Sequence, residues 1–158
     1  MLYGYCYPTK IGQMYVLEHN EKIIEMGLGC PVNQRVIQKE TPLIKEAIKQ
    51  ITLYFDGKLK TFSLPLIRSG TEFQEKVWEA LEKIPYGETR SYEDIAIMIG
   101  KDKAARAVGQ ACHNNPIMIV VPCHRVIGKN NKMGGFASDI EIKKYLLGLE
   151  KNAHNIEL

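Results

Sequence analysis

The chain has 158 residues, 45% of them hydrophobic and 25% charged. That balance is ordinary for a soluble globular protein, with enough apolar material for one domain or two small ones. No run approaches ~20 apolar residues, which excludes a membrane-spanning helix. The N-terminus also lacks a basic stretch followed by an apolar core, which argues against a secretory signal and for a cytoplasmic location, nuclear in a eukaryote.

In chain order, residues 1–67 read as a small N-terminal α/β scaffold domain with a short antiparallel sheet. Residues 13–17 and 22–26 are strand-like, joined by Glu18-His19-Asn20-Glu21 as a hairpin turn. Thr41-Pro42 opens a helix, with Thr as N-cap and Pro at the first helical position. Leu43, Ala47 and Ile51, with Ile44, Ile48 and Phe55, then recur at helical spacing. Asp56-Gly57 ends that helix, and residues 61–64 are expected to form a short strand before Pro65. Nothing in this part carries evident chemistry.

Residues 68–158 read as a second, mainly helical domain. Thr71 caps a helix whose apolar face holds Phe73, Val77, Trp78 and Leu81, ending before Pro85-Tyr86-Gly87. Ser91 caps the next one, where Asp94 favours the positive helix end and Ile95, Ala96 and Ile99 form the buried face before Gly100. A third helix is expected over 103–113, broken by Asn114-Asn115-Pro116. A strand or extended segment follows over 117–121, then a loop rich in Gly, Asn and Lys over 128–135, and a last helix over 139–150. The helices at 91–99 and 103–113 have helix-turn-helix form. Ala104, Ala105, Ala107, Gly109 and Ala111 leave the second helix slim, with Arg106 projecting and Lys103 one turn earlier. Such a helix suits a groove of DNA; its small residues suit close helix packing equally well.

The four cysteines, Cys6, Cys30, Cys112 and Cys123, form no CxxC pair, and His19, His113, His124 and His154 are not at zinc-ligand spacing. No metal is expected. A Cys6–Cys30 bridge is geometrically possible but rare in a reducing cytosol. Cys123 stands in Val121-Pro122-Cys123-His124-Arg125-Val126, in front of two potential cations, which should ease loss of its proton; the thiolate is the nucleophilic form. Against this, free cysteine is most often core filler, and neighbours on a strand point to opposite faces, so adjacency does not put His124 on the sulfur. The overall charge is only +3, yet residues 101–132 carry six positive charges and one negative. A basic surplus around Cys123 suits an anionic partner.

The ordered strings Phe73-Gln74-Glu75-Lys76-Val77-Trp78, Ile84-Pro85-Tyr86-Gly87-Glu88-Thr89-Arg90-Ser91-Tyr92, Ala105-Arg106-Ala107-Val108-Gly109-Gln110-Ala111, Asn114-Asn115-Pro116 and the Cys123 run, with Lys143 to Glu150 downstream, resemble the O6-alkylguanine-DNA alkyltransferases. The resemblance covers about the last ninety residues. It implies repair by direct reversal: an alkyl group moves from guanine O6 to the protein's own cysteine, once per molecule, with no cofactor. The partner implied is double-stranded DNA carrying O6-alkylguanine, with O4-alkylthymine as a second candidate, and the protein is expected to act as a monomer. By the same resemblance Cys123 is the nucleophile, His124 the base acting through a water, Glu150 the group that orients His124, and Asn115 the brace of the turn. Arg106 fills the space of a flipped base, and Tyr92 helps rotate the nucleotide and donates to guanine N3. Ser91, Lys103, Ala105, Cys112 and His113 belong to the DNA- and base-contacting set, and the Val126 carbonyl receives the guanine amino group. The resemblance assigns no role to Arg125, which could brace the two domains or the Cys123 turn.

Two departures stand out. Phe136, Ala137 and Ser138 join the base-contacting set by the same resemblance, where the family commonly shows a Tyr, a small residue and two Gly. Phe136 keeps the aromatic wall without the hydroxyl, Ala137 supplies a backbone N–H for O6, and Ser138 and Asp139 replace the glycines, so the pocket is expected to be tighter or stiffer and slower with bulky adducts. Glu18 and Ile23 fall where some relatives carry zinc ligands, so zinc is not expected. Other readings of the same residues are a DNA-binding regulator without chemistry, a damage binder without transfer, and a thiol hydrolase or peroxidase using Cys123 and His124.

Overall fold

The structure, a computed structural model, describes residues 1–31, 34–128 and 140–156, with side chains through Asn152. The chain divides into two compact units, Met1–Ser69 with Pro116–Met118, and Gly70–Asn115 with Ile119–Leu158. Among the described residues no helix is long and apolar enough to cross a membrane.

In the first unit, strands β1 (Leu2–Thr9), β2 (Gly12–His19) and β3 (Lys22–Leu28) form an antiparallel meander, and β4 (Val36–Gln38) adds in parallel to β1, giving the order β3-β2-β1-β4. The β2–β3 turn puts Asn20 and Glu21 at φ of 51° and 60°, the left-handed pair that a two-residue hairpin needs. Helix α1 (Pro42–Phe55) buries Ile44, Ala47, Ile51 and Tyr54, and one sheet face buries Met14, Val16, Ile23 and Met26. At ~1.5–3 kcal/mol for each large side chain removed from water, this layer is the unit's main source of stability. Thr41 fixes where the helix starts. Its hydroxyl accepts from the Ile44 N–H at 3.1 Å and donates to the buried Glu18 carboxylate at 2.5 Å, which ties the N-cap to β2.

Residues 61–64 do not form the expected strand. The Ser63 N–H donates to Gln50 Oε1 at 3.0 Å and its carbonyl accepts from Gln50 Nε2 at 3.2 Å, so a buried side-chain amide takes the place of a ladder partner. The free edge of β3 is instead covered in parallel by single bridges at Leu66 and Ile117, which leaves no long exposed edge there. Cys6 and Cys30 are joined by a disulfide, against the expectation from compartment.

In the second unit, α2 (Glu72–Glu82) and α3 (Tyr92–Met98) both begin with full capping boxes, Thr71 with Gln74 and Ser91 with Asp94. Ile99 and Gly100, the latter at φ 76°, stop α3. Helix α4 runs Ala105–His113, with Ala104 at its N-cap and no side-chain cap bond; it starts later than expected, and Lys103 precedes it. Strand β5 (Arg90–Ser91) pairs in parallel with β6 (Val126–Ile127). Helix α5 spans Ile140–Ile156, continuing beyond Glu150; the expected start at Asp139 lies outside the described residues. Trp78 is buried and donates its indole N–H to the Ala111 carbonyl at 2.9 Å, which locks α2 to α4. The segment over 117–121 is not a continuous strand. Ile119 turns through φ 71°, a conformation that costs a β-branched residue on the order of 1–3 kcal/mol.

Candidate active site

The turn that presents Cys123 is built from its own backbone and one side chain. Residues Cys123–Arg125 form a single 3₁₀ turn after Pro122, closed by the Arg125 N–H on the Pro122 carbonyl at 3.0 Å. Upstream, Asn115 Nδ2 donates to the Val121 carbonyl at 2.7 Å, which draws the chain back on itself and spans the strained Ile119. Cys123 is 3% exposed. Burial pushes its thiol pKa up, while a hydrogen bond from the Asn115 amide and the positive charge of Lys143 pull it down. The sequence expectation that the adjacent His124 and Arg125 would acidify Cys123 is therefore wrong: both side chains are directed to another partner.

That partner is Glu150 on α5. His124 Nε2 lies 2.6 Å from Glu150 Oε2, with both side chains almost fully buried. Arg125 Nε donates to Oε1 at 2.8 Å and Nη2 to Oε2 at 3.1 Å, its third donor Nη1 reaches the Ile84 carbonyl at 2.8 Å, and the Gly87 N–H adds a bond to Oε1 at 3.2 Å. Burial alone would raise the Glu150 carboxyl. The hydrogen bonds and charges of His124 and Arg125 outweigh it and hold the pKa at about 2. The imidazole pKa moves down, chiefly through burial, with Arg125 and Lys143 repelling its proton and Glu150 opposing them. An ionised carboxylate only accepts, so His124 Nε2 must carry the N–H. The basic lone pair of a neutral His124 is then on Nδ1.

Tyr92, the first residue of α3, connects this centre to the surface. Lys143 Nζ donates to the Tyr92 hydroxyl oxygen at 3.4 Å and lies 5.7 Å from the ring centroid. Burial, then the neighbouring thiols of Cys112 and Cys123, push the Tyr92 pKa up to about 12. Cys112 is buried, and burial with the neighbouring Cys123 thiol shifts its pKa upward against the pull of Lys143. Lys143 is fully buried, and burial lowers its pKa against the opposing pull of the two thiols.

An open groove of ≈ 460 Å³ lies over α3 and α4, lined by Tyr92, Glu93, Ala105, Arg106, Gly109, Gln110 and His113. Arg106 and His113 are exposed there and Ala105 is half-buried. A Cβ on Gly109 would meet the Tyr92 ring at 3.8 Å, an ordinary contact, so the groove beside Tyr92 has room for a small side chain there. Lys103 is exposed but outside this lining, and Cys112 faces the interior. Ser91 spends its hydroxyl oxygen on the Asp94 N–H at 3.0 Å. Val126 is buried in β6. Phe136, Ala137 and Ser138 lie outside the described residues. Among the described residues no group of three or more His, Cys, Asp or Glu side chains is placed to hold a metal.

Sequence reasoning passed over Lys143, Glu93 and Gln110, and left Arg125 without a role. Lys143 was detectable: with Leu146 and Glu150 it falls on the buried stripe of α5, and a lysine at a core position of an amphipathic helix is itself a signal.

Two family models cover most of the chain. One described as 6-O-methylguanine DNA methyltransferase, ribonuclease-like domain, matches residues 1–67, and one described as 6-O-methylguanine DNA methyltransferase, DNA binding domain, matches residues 72–152. The constitutive methylated-DNA–protein-cysteine methyltransferase of Bacillus subtilis (strain 168) is 49% identical over 151 residues, 90% of this chain and 92% of the relative. The methylated-DNA–protein-cysteine methyltransferase of Haemophilus influenzae is 38% identical over 155 residues, 95% of this chain and 87% of the relative. Among solved structures, Mycobacterium tuberculosis OGT in complex with DNA matches with a TM-score of 0.89 at 40% identity, covering 96% of this chain and 94% of that one.

Proposed function

The chain belongs to the 6-O-methylguanine DNA methyltransferase family, and from that membership we propose that it repairs DNA by moving a methyl or other alkyl group from guanine O6 to Cys123, once per molecule. The observation that carries this reading is the buried Cys123, held on a turn braced by Asn115, next to a His124–Glu150 pair closed at 2.6 Å. A sulfur nucleophile suits displacement at an alkyl carbon, because thiolates are strong nucleophiles that need little activation.

In the proposed reaction His124 Nδ1 takes the Cys123 proton through a water, and Glu150 holds the ring in the required tautomer. The sulfur attacks the alkyl carbon, the carbon–O6 bond breaks, and its electron pair leaves on the purine. Tyr92 donates a hydrogen bond to N3 of that departing base, while the Val126 carbonyl holds the amino group. The product is a thioether. A thiolate is a poor leaving group from a saturated carbon, so His124 has no easy second step, and one turnover per molecule follows. No cofactor is required.

The target base lies inside the duplex and must be turned out, at a cost of a few kcal/mol. Arg106, exposed on the slim α4, is proposed to fill the vacated stack, with α3 and α4 acting as a helix-turn-helix whose second helix enters the minor groove. Damage must be found at any sequence, so the degenerate readout of that groove suffices. Ala105, Gly109, Gln110 and His113 line the same groove of the protein, and Ser91 and Lys103 are proposed phosphate contacts. Residues 1–67 are proposed as the scaffold domain and 68–158 as the acting one, in a monomer.

A duplex carrying labelled O6-methylguanine tests the reading. Label is expected on the peptide holding Cys123, at one equivalent per molecule. Cys123→Ser should abolish transfer and keep DNA binding. Multiple turnover, or transfer that survives the substitution, would overturn the proposal.

A further inference from the structure

We propose that Arg125 is a positioning residue of the transfer reaction: it fixes the Glu150 carboxylate against His124 and limits how much of that carboxylate's charge the imidazole can use. The inference rests on the reading above, in which His124 is the base.

Burial of Arg125 makes the first argument. It is 6% exposed, and a guanidinium taken out of water is tolerated only with well-placed partners. Its donors are engaged on both oxygens of Glu150 and on the Ile84 carbonyl. Ile84 closes the end of α2 through its own N–H on the Leu81 carbonyl at 3.0 Å, so the guanidinium is anchored to a helix end. The ring of Tyr86 lies 5.7 Å from the guanidinium carbon. The fork geometry lets one Arg fix a carboxylate in both position and rotation, which a Lys cannot do.

The second argument is that Glu150 Oε2 is shared. It sits 2.6 Å from His124 Nε2 and 3.1 Å from Arg125 Nη2. A carboxylate facing only a histidine would strongly favour the imidazolium, which cannot accept the thiol proton. The groups acting on His124 are Glu150 and Lys143 from α5 and Arg125 from its own turn, while Tyr86 acts on Glu150 and Arg125. Glu150 alone favours the proton; Arg125 and Lys143 oppose it, in the same direction as burial. Arg125 therefore acts twice, by holding Glu150 in register and by keeping the imidazole neutral in the range where repair must run.

The test is the single-turnover rate on an O6-methylguanine duplex as a function of pH, with label mapped to Cys123 in every arm. In Arg125→Gln the midpoint of the acid limb should rise by about one to two pH units, as expected for losing a neighbouring charge at an effective dielectric of ~20. In Arg125→Lys the charge survives and the fork does not. Its midpoint should stay within about half a unit of wild type, and its rate should fall several-fold at every pH. A folded Arg125→Gln protein with the wild-type midpoint would reduce Arg125 to a brace and overturn the proposal. So would Arg125→Lys at the wild-type rate throughout, and that variant decides the matter alone if Arg125→Gln does not fold. Failure of the functional reading looks different: wild-type protein would leave Cys123 unlabelled, or His124→Gln would keep the acid limb.

Discussion

Replacing Glu150 with Gln should change how stability depends on pH, and the size of the change follows from the site. The carboxyl is held at about 2 against an ordinary 4.5. At 1.36 kcal/mol per unit, ionised Glu150 contributes about 3 kcal/mol to the folded state. A depressed folded-state pKa stabilises above the unfolded value and loses that contribution as pH falls from about 4.5 toward about 2. By pH 3 about 2 kcal/mol of it is gone. His124, also depressed, adds a loss of the same sign at higher pH, beginning as pH falls below its unfolded value near 6.5. Glu150→Gln removes the lower window, and because Glu150 favours the His124 proton it would also deepen the His124 loss, so the substitution is compared in proteins that both carry His124→Gln. At neutral pH it leaves Arg125 buried without its counter-charge, a cost of about 3–5 kcal/mol. The double variant should therefore be much less stable than His124→Gln alone at pH 7, and the gap should narrow by about 1–2 kcal/mol by pH 3. Trp78 is the only tryptophan and lies buried in the unit that holds the site, so urea unfolding followed by its fluorescence reads that unit directly. An offset between the two proteins that stays constant from pH 7 to pH 3 would refute the account of Glu150 as an ionised, clamped carboxylate.

The Cys6–Cys30 disulfide closes a separation of 24 residues, for which the chain-entropy relation gives about 3.5 kcal/mol; urea unfolding by far-UV circular dichroism with and without a reductant should show a loss of that order, and a change below about 1 kcal/mol would mean the reduced chain is already constrained. Arg106 is exposed on α4, so Arg106→Ala should leave stability within about 0.5 kcal/mol. It should slow transfer from a duplex at least about tenfold while sparing transfer from the free alkylated base, since only the duplex demands base flipping; equal losses on both substrates would remove Arg106 from that step.

What the sequence revealed was local. Thr41-Pro42, Thr71, and Ser91 with Asp94 announce helix starts because caps act over three or four residues, and all three are realised. Strand β1 escaped notice because Gly4 and Pro8 interrupt its alternation. Its pairing explains why both are tolerated. Gly4 lies under Leu17 and Val36, where a Cβ would sit 2.6 and 2.7 Å from their side chains, and Pro8 falls in the part of β1 that β4 does not reach. Residues 61–64 misled because a side chain, Gln50, satisfied the backbone there. At the site, Cys123 and His124 were legible as reactive types in a dense motif. Glu150 stands 26 residues from His124, and no periodicity joins two residues at that distance; only resemblance pointed to it. Arg125 carried a local signal only as a cation beside Cys123, and that signal misled, since its partner is a carboxylate brought in by α5.

The shifts in the site suit the proposed reaction, in which the nucleophile is used once. Burial keeps the Cys123 thiol protonated at rest, against the weaker pull of Asn115 and Lys143, so the reactive thiolate is scarce until a proton acceptor is aligned with it. The proposed acceptor is likewise held ready: burial, Arg125 and Lys143 favour a neutral His124, and ionised Glu150 fixes which nitrogen stays basic. A permanently ionised cysteine would react with any small electrophile or oxidant that reached it, and each such event would remove a molecule from service. A high-pKa thiol beside a low-pKa base moves activation to the moment of encounter. The proton transfer then costs free energy that must be recovered from binding the base. On this logic, a substitution that lowered the resting pKa of Cys123 would speed non-specific alkylation more than it would speed repair.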